Sequence, residues 1–290
     1  MLFPPDFLTR LEYLSIMSKR VFRGQLLAQR RTRQTGAGIE FADHREYSPG
    51  EDLRYLDWNV YARHGDLLIR RFQEEQDLHL WLLLDCSNSM NLADGRKFDL
   101  ARQLAAALAW IALADLDRIS VLACAAGVVE QFPLTRGRER ILPLMQFLQG
   151  LTASTPQTSL LESVRQFLHR RPRPGIAVIL SDLFDPAGFE AGLDQLRFSG
   201  FDLHVIQLHH PLDADPAVLG DAELVDVETG TTLQTTITEH MLSEYRRLFR
   251  QHQDAVRNYC ARYNLGCTQS GCQVQFDSLV MAMMKQSATS

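Results

Sequence analysis

Four short apolar runs constrain what this chain can fold into. Leu78–Leu84, Ile119–Ala125 and Ile176–Leu180 are apolar almost throughout, and Phe201–Leu208 is mostly apolar, broken by Asp202, His204 and Gln207; each has the length of a strand. A strand without alternation must be covered on both faces, which places it inside a helix-flanked parallel sheet. The intervening segments supply the cover. Phe98, Ala101, Leu104, Ala105, Leu108 and Ala112 recur at helical spacing within 98–116. Ile141–Leu148 ends at Gly150, Leu160 to Leu168 is amphipathic, and Phe189, Leu193 and Leu196 share one helical face. Val128–Phe132 adds a strand after a tight turn at Gly127. Strand and helix alternating at this rhythm predict an α/β fold with a doubly wound, mostly parallel sheet flanked by helices.

The flanking regions differ in character. Residues 1–34 read as helical, and Leu67–Arg71 as a short strand. Between them, 38–64 is dense in charge and aromatics and carries a Ser48-Pro49-Gly50 turn. We therefore divide the chain into an N-terminal helical and extended extension, 1–74, and a sheet domain, 75–290. Tyr47, Tyr55, Leu56 and Trp58 are expected to be buried against that domain, because an exposed aromatic cluster is a liability. Exposure would instead mark a partner site. The mixed charges Asp43, Arg45, Asp52, Arg54, Asp57 and Arg63 fit a salt-bridge network and an exposed partner surface equally well. After the sheet, Glu223–Val227 reads as a strand. A capping box at Thr236–Glu239 opens a long helix that Gly266 ends.

Composition narrows function. The net charge is −5, so nucleic acid and membrane surfaces are not favoured partners. Beyond Phe22 the basic stretch 19–33 lacks the interleaved aromatics of a nucleic-acid site. No apolar run reaches the ~18 residues of a membrane span; the nearest, 104–116, is broken by Asp115. The N-terminus has no signal-peptide pattern. Five scattered cysteines argue against a disulfide framework and for a reducing, cytoplasmic setting.

The chemistry concentrates where apolar strands end. Asp85-Cys86-Ser87-Asn88-Ser89 follows one strand directly, Asp182 follows another, and Thr158 opens a helix. Ligands of open α/β sheets bind beyond the strand carboxyl ends. Two carboxylates and three hydroxyls are hard oxygen donors, suited to Mg²⁺, Mn²⁺ or Ca²⁺ and poorly to zinc. Alternate residues 85, 87 and 89 can face one centre, leaving Cys86 to packing and Asn88 to loop support. His204, His209 and His210 lie along or past a strand without a matching set, and read as structural. No phosphate-binding G-x-x-x-x-G-K-[ST] loop and no G-x-S-x-G elbow occurs. A phosphatase or other hydrolase using Asp85 as nucleophile would need a carboxylate two residues later, and that position is Ser87.

These residues carry a resemblance. Asp85, Ser87 and Ser89 with Thr158 and Asp182 resemble the metal-ion-dependent adhesion site of von Willebrand factor A domains. Phe41, Arg45, Tyr47, Gly50-Glu51-Asp52, Arg54, Asp57-Trp58 and Ala62-Arg63 resemble the signature of the bacterial domain-of-unknown-function family 58. The resemblance covers roughly residues 36–260 and implies a von Willebrand factor A-like fold. It implies that the serines and threonine bind the ion while the aspartates act largely through water. It further implies a non-enzymatic protein-interaction module, an adaptor for a MoxR-type AAA+ ATPase in protein assembly or maturation. An Asp or Glu of the partner would complete the metal's coordination. Two features depart from the family. Many relatives carry two N-terminal membrane helices, and this chain has none. The threonine loop usually reads Gly-Gly-Thr but is Pro156-Gln157-Thr158 here, which leaves Thr155 and Ser159 as rival ligands.

Overall fold

The computed structural model describes residues 2–14, 40–49, 52–73, 78–155, 157–216, 218–226 and 230–287. The expectations for 15–39, Gly50, Glu51 and Pro156, including the basic segment, fall outside these. Two compact units emerge, residues 1–19 with 78–290 and residues 20–77.

The larger unit is built on a six-stranded sheet. Its strands are β3 (His79–Asp85), β4 (Arg118–Cys124), β5 (Val128–Arg136), β6 (Ile176–Ser181), β7 (Asp202–His209) and β10 (Gly266–Gly271). Their spatial order is β10-β7-β6-β3-β4-β5, with only β5 antiparallel. This is the mixed, mostly parallel, helix-flanked sheet that the apolar runs predict. Successive strands first move outward from β3 through β4 to β5. The chain then returns to β6 on the other side of β3 and proceeds outward again. The β3–β6 junction is therefore the topological switch point, where the loops diverge and leave a crevice.

Every residue of β3 is buried. Side chains alternate between faces along a strand. Trp81 and Leu83 join Ala177, Ile179, Leu203 and Val205 in one core, closed by Leu160, Val164 and Phe167 of α5 (Leu160–His169) and Leu193 and Leu196 of α6 (Glu190–Phe198). The other face meets α3 (Arg96–Ala114), which also packs on α4 (Ile141–Gly150) and α9 (Phe276–Ser287). Enclosure explains its composition. Ala101, Ala105, Ala106, Ala107 and Ala109 are fully buried and let neighbours approach closely. Among the described residues no helix is long and apolar enough to cross a membrane.

The first helix, α1 (7–14), departs from the division expected at residue 74. Phe7, Leu11 and Leu14 are fully buried. Phe7 lies 4.8 Å from Phe3 and 4.7 Å from Phe276, ring centre to ring centre. Arg10 pairs with Asp277 at 2.6 Å. An apolar helical stripe packs wherever a complementary face exists, and α9 provides one.

In the smaller unit β1 (Glu40–Glu46) pairs antiparallel with β2 (Leu68–Gln73) around α2 (Trp58–His64). Leu56 bridges to Ile69, and both are buried. Asp57 caps α2 by accepting from the Asn59 and Val60 amides, and its other oxygen meets His44 Nε2 at 3.0 Å. The aromatics depart from expectation. Leu56 is buried, Tyr47 is intermediate, and Tyr55 and Trp58 are exposed, Trp58 by 57 %. With Leu56 and Asp57 turned inward, the first residue of α2 points out. There Trp58 meets Tyr61, three residues on, edge-to-face at 6.2 Å.

The C-terminal third also differs in detail. The expected strand Glu223–Val227 is half of a hairpin, β8 (Gly220–Val225) with β9 (Thr232–Ile237). Thr236 belongs to β9, and the cap of α8 (Glu239–Arg262) is Thr238. The helix ends four residues before Gly266, which instead opens β10.

Truncating Phe7 to Ala is expected to cost about 3–5 kcal/mol, as for a fully buried aromatic. Trp58→Ala should stay within about 1 kcal/mol. Urea denaturation of both variants checks the contrast.

Candidate metal centre at the strand switch point

Asp85 ends β3, and its parallel neighbour in β6 is Ser181 by continuation of the Leu84–Leu180 pairing. Its side chain is pinned from two sides. Oδ1 accepts from the Ser87 amide at 2.9 Å, and Oδ2 accepts from Ser181 Oγ at 2.5 Å. The loop beyond is equally constrained. The Cys86 amide donates to the Cys124 carbonyl at 2.7 Å, and the Asn88 amide to the Thr155 carbonyl at 3.0 Å. Met90 plugs the core beneath, fully buried. Cys86 is buried as well, in the packing role its position suggested.

Ser87 and Ser89 converge beside Asp85, their Oγ atoms 3.0 Å apart. Magnesium–oxygen bonds of about 2.1 Å at right angles place neighbouring oxygens about 3.0 Å apart. The two hydroxyls thus already have the separation of adjacent ligands on one octahedral ion, and the donor set fits a hard cation.

Thr158 lies on another side of Asp85. Both line a cavity of about 20 Å³ with Ser163, Ser181 and Asp185, a space on the scale of one water. Of the two rivals Ser159 has its hydroxyl engaged elsewhere, whereas Thr155 lies beside the 85–89 loop. Ser159 Oγ caps α5 by accepting from the Glu162 amide at 3.2 Å, and the Thr155 backbone pairs with the 87–88 loop. Asp185 accepts from the Leu160 amide at 2.8 Å and ties the β6 loop to α5.

Asp182 has a different environment from that of Asp85. It is buried, with Oδ1 accepting from the Phe184 amide at 3.1 Å. Oδ2 accepts from Lys97 Nζ at 2.7 Å. Lys97 also donates to Asp213 Oδ2 at 2.9 Å, and that oxygen accepts from the His210 amide at 2.7 Å. Lys97 is fully buried. Burial opposes its charge, but Asp182 and then Asp213 outweigh that and hold its pKa above the ordinary value. Sequence reasoning missed Lys97, Asp213 and Ser181. The available sign was Lys97 itself, a charge in register with the Ala101–Leu104–Leu108 stripe.

Burial first, and then the nearby Asp182 carboxylate, push Asp85 up to about 6, against the hydrogen bonds from Ser181 and Ser87. His204, half-buried on β7, meets Thr268 Oγ1 at 2.9 Å, and desolvation lowers it to about 4.

Comparison with known proteins adds the following. The profile of the family described as "Protein of unknown function DUF58" matches residues 43–255. Uncharacterized proteins of Mycobacterium bovis and Mycobacterium tuberculosis are 27 % identical over 273 residues, spanning 91 % of this chain and 83 % of theirs. Among solved structures, BatB of Bacteroides thetaiotaomicron aligns at 16 % identity and TM-score 0.44, over 73 % of this chain and 100 % of its own. An aerotolerance-related membrane protein of Bacteroides fragilis aligns at 17 % and 0.46, over the same shares. Proximal thread matrix protein 1 of the mussel byssus, solved with a zinc-occupied MIDAS motif, aligns at 13 % and 0.42, over 73 % of this chain and 47 % of its own.

A carboxyl raised above its unfolded value binds its proton more tightly in the folded state. Stability therefore falls as pH rises from about 4 to about 6, by about 3 kcal/mol for a shift of this size. Asp85→Asn keeps the shape and removes the charge. In chelator at pH 7.5 it should be more stable than the parent by up to that amount. Its stability should also change less between pH 4 and 6. Chemical denaturation across that range reads both.

Proposed function

The chain belongs to the family of proteins of unknown function DUF58, and we propose that its sheet domain is a divalent-metal-dependent protein-interaction module of the von Willebrand factor A type. The observation that carries this reading is the Ser87–Ser89 pair, 3.0 Å apart beside Asp85 at the strand switch point. Ser87, Ser89 and Thr158 would hold a Mg²⁺, Mn²⁺ or Ca²⁺ ion, with Asp85 and Asp182 acting through water. A bound ion would present an electrophilic position for a carboxylate of another protein. Its own contribution to this chain would be to offset the charge of Asp85, which burial disfavours.

Recognition is favoured over hydrolysis by what surrounds the site. Attack by Asp85 on a phosphate needs an acid two residues on, and Ser87 cannot serve. Activation of water needs a base beside the metal. Asp185 is occupied by the amides of Leu160 and Ala187, and Asp94 pairs with Arg96 at 2.8 Å on the surface. We read the chain as a cytoplasmic adaptor for a MoxR-type AAA+ ATPase that assembles or matures other proteins. An Asp or Glu of the partner completes the metal sphere. The exposed Trp58 and Tyr61 rings are assigned to the partner surface.

Calorimetric titration of the full chain with MgCl₂ and MnCl₂ should give saturable binding, weakened at least tenfold by Ser87→Ala. Co-purification of the ATPase from the host should be lost on chelation. A Ser87→Ala protein that is folded by circular dichroism yet binds the ions like the parent would refute the site. Partner capture indifferent to chelator would refute the metal's role.

A further inference from the structure

At the opposite end of the sheet a second cavity opens, of about 370 Å³. That is within the range of small-molecule sites, about 300–1,000 Å³. It lies between the starts of β3 and β4 and the loop that leads from α5 into β6. Its lining includes Arg118, Arg171 and Arg173 with His79 and Trp81, and no acidic residue among those described. We propose that this cavity is an anion-binding site for a small phosphorylated molecule carrying at least two negative charges.

The loop that bears the arginines is held rigid. Pro172 and Pro174 flank Arg173, and proline fixes its own φ. The Arg173 carbonyl accepts from Trp81 Nε1 at 3.1 Å. Arg171 sits at φ +50°, in the left-handed region, with its amide on the Leu168 carbonyl at 2.9 Å. Gly175 lies so close to β3 that a β-carbon there would fall 2.2 Å from the His79 carbonyl oxygen. The Arg171–Arg173 backbone is therefore fixed against a buried strand rather than free in solvent.

Arg171 and Arg173 are exposed, and neither makes an ion pair with any described residue. Arg118 adds a half-buried guanidinium to the same wall. Guanidinium groups meet phosphate through paired N–H donors, and two or three around one concavity favour a multiply charged ligand over a single carboxylate. The floor is His79 stacked on Trp81, 6.3 Å between centroids and 19° from parallel. Both rings are buried, so they back the arginine loop as a rigid wall. None of these residues belongs to the candidate metal centre.

The test is calorimetric titration of the full chain at 150 mM salt with pyrophosphate, with AMP and with adenosine. Pyrophosphate and AMP should bind saturably, one per chain, and adenosine should not. Arg171→Ala with Arg173→Ala should weaken pyrophosphate at least tenfold, because both side chains are exposed and the fold survives their loss. Ser87→Ala should leave pyrophosphate binding unchanged, which separates this site from the metal centre. Absence of saturable binding to either phosphate overturns the proposal. So does a folded double variant that binds pyrophosphate like the parent.

Discussion

A buried ammonium ion organises the carboxyl end of this sheet. Lys97 reaches from the first turn of α3 to Asp182 after β6 and to Asp213 in α7 (Pro211–Ala214). Removing these charges from water costs several kcal/mol for each ion, and the mutual attraction repays it only where every contact is made. A cation in the first turn of a helix also opposes the helix dipole. Two carboxylates within 2.9 Å answer both penalties. Such an arrangement is weak evidence of stability and strong evidence of placement. With Oδ2 on Lys97 and Oδ1 on the Phe184 amide, Asp182 has a fixed orientation. The same contacts reach α8, because the Tyr245 hydroxyl donates to the Asp213 carbonyl at 2.9 Å.

Among the described residues Asp85 has no comparable cation. It faces the same interior with two hydrogen bonds and a neighbouring negative charge, and its ionised form is disfavoured there. One carboxylate is compensated within the fold and the other is not. Proteins tolerate such local conflict mainly at functional sites. A cation arriving next to Asp85 would relieve it, whereas at Asp182 it would meet a carboxylate already satisfied. On the proposed reading both aspartates would act through water, and Asp85 is the one whose charge a cation would relieve.

The sequence exposed the inner strands because burial on both faces leaves no alternation to misread. It concealed the sixth strand for the opposite reason. Gly266–Gly271 is small and polar and pairs only with β7, so its residues carry no apolar pattern. The α8 cap was placed two residues early because Thr236 and Thr238 offer the same hydroxyl, and only the β8–β9 pairing decides between them. The 85–89 loop was legible because Asp85, Ser87 and Ser89 lie close in sequence. Lys97, Asp213 and Ser181 were not, since their roles arise from pairings across 85, 116 and 96 residues. Trp58 failed in another way. Hydrophobicity indicates what would prefer burial, but the turn into α2 could bury Leu56 or Trp58, not both.

The parallel sheet gives its two ends opposite chemistry. At the carboxyl end loops depart into helices, and their short polar residues remain near the strand tips. Asp85, Ser87, Ser89 and Asp182 lie there, short oxygen-bearing side chains at the strand ends. At the amino end chains arrive from helix C-termini, where basic residues are favoured by the dipole. Arg170, Arg171 and Arg173 follow α5 in that way. A central strand such as β3 joins both ends, with His79 at one tip and Asp85 at the other. At about 3.3 Å per residue its seven residues separate them by about 20 Å, roughly two Debye lengths at physiological salt. Direct Coulomb coupling across that distance is largely screened. Any communication between the ends must therefore run through packing along β3 and its neighbours. The buried, regular strands between them are the least deformable part of the fold. Ligands at the two ends would on this account act independently unless one displaced a whole helix.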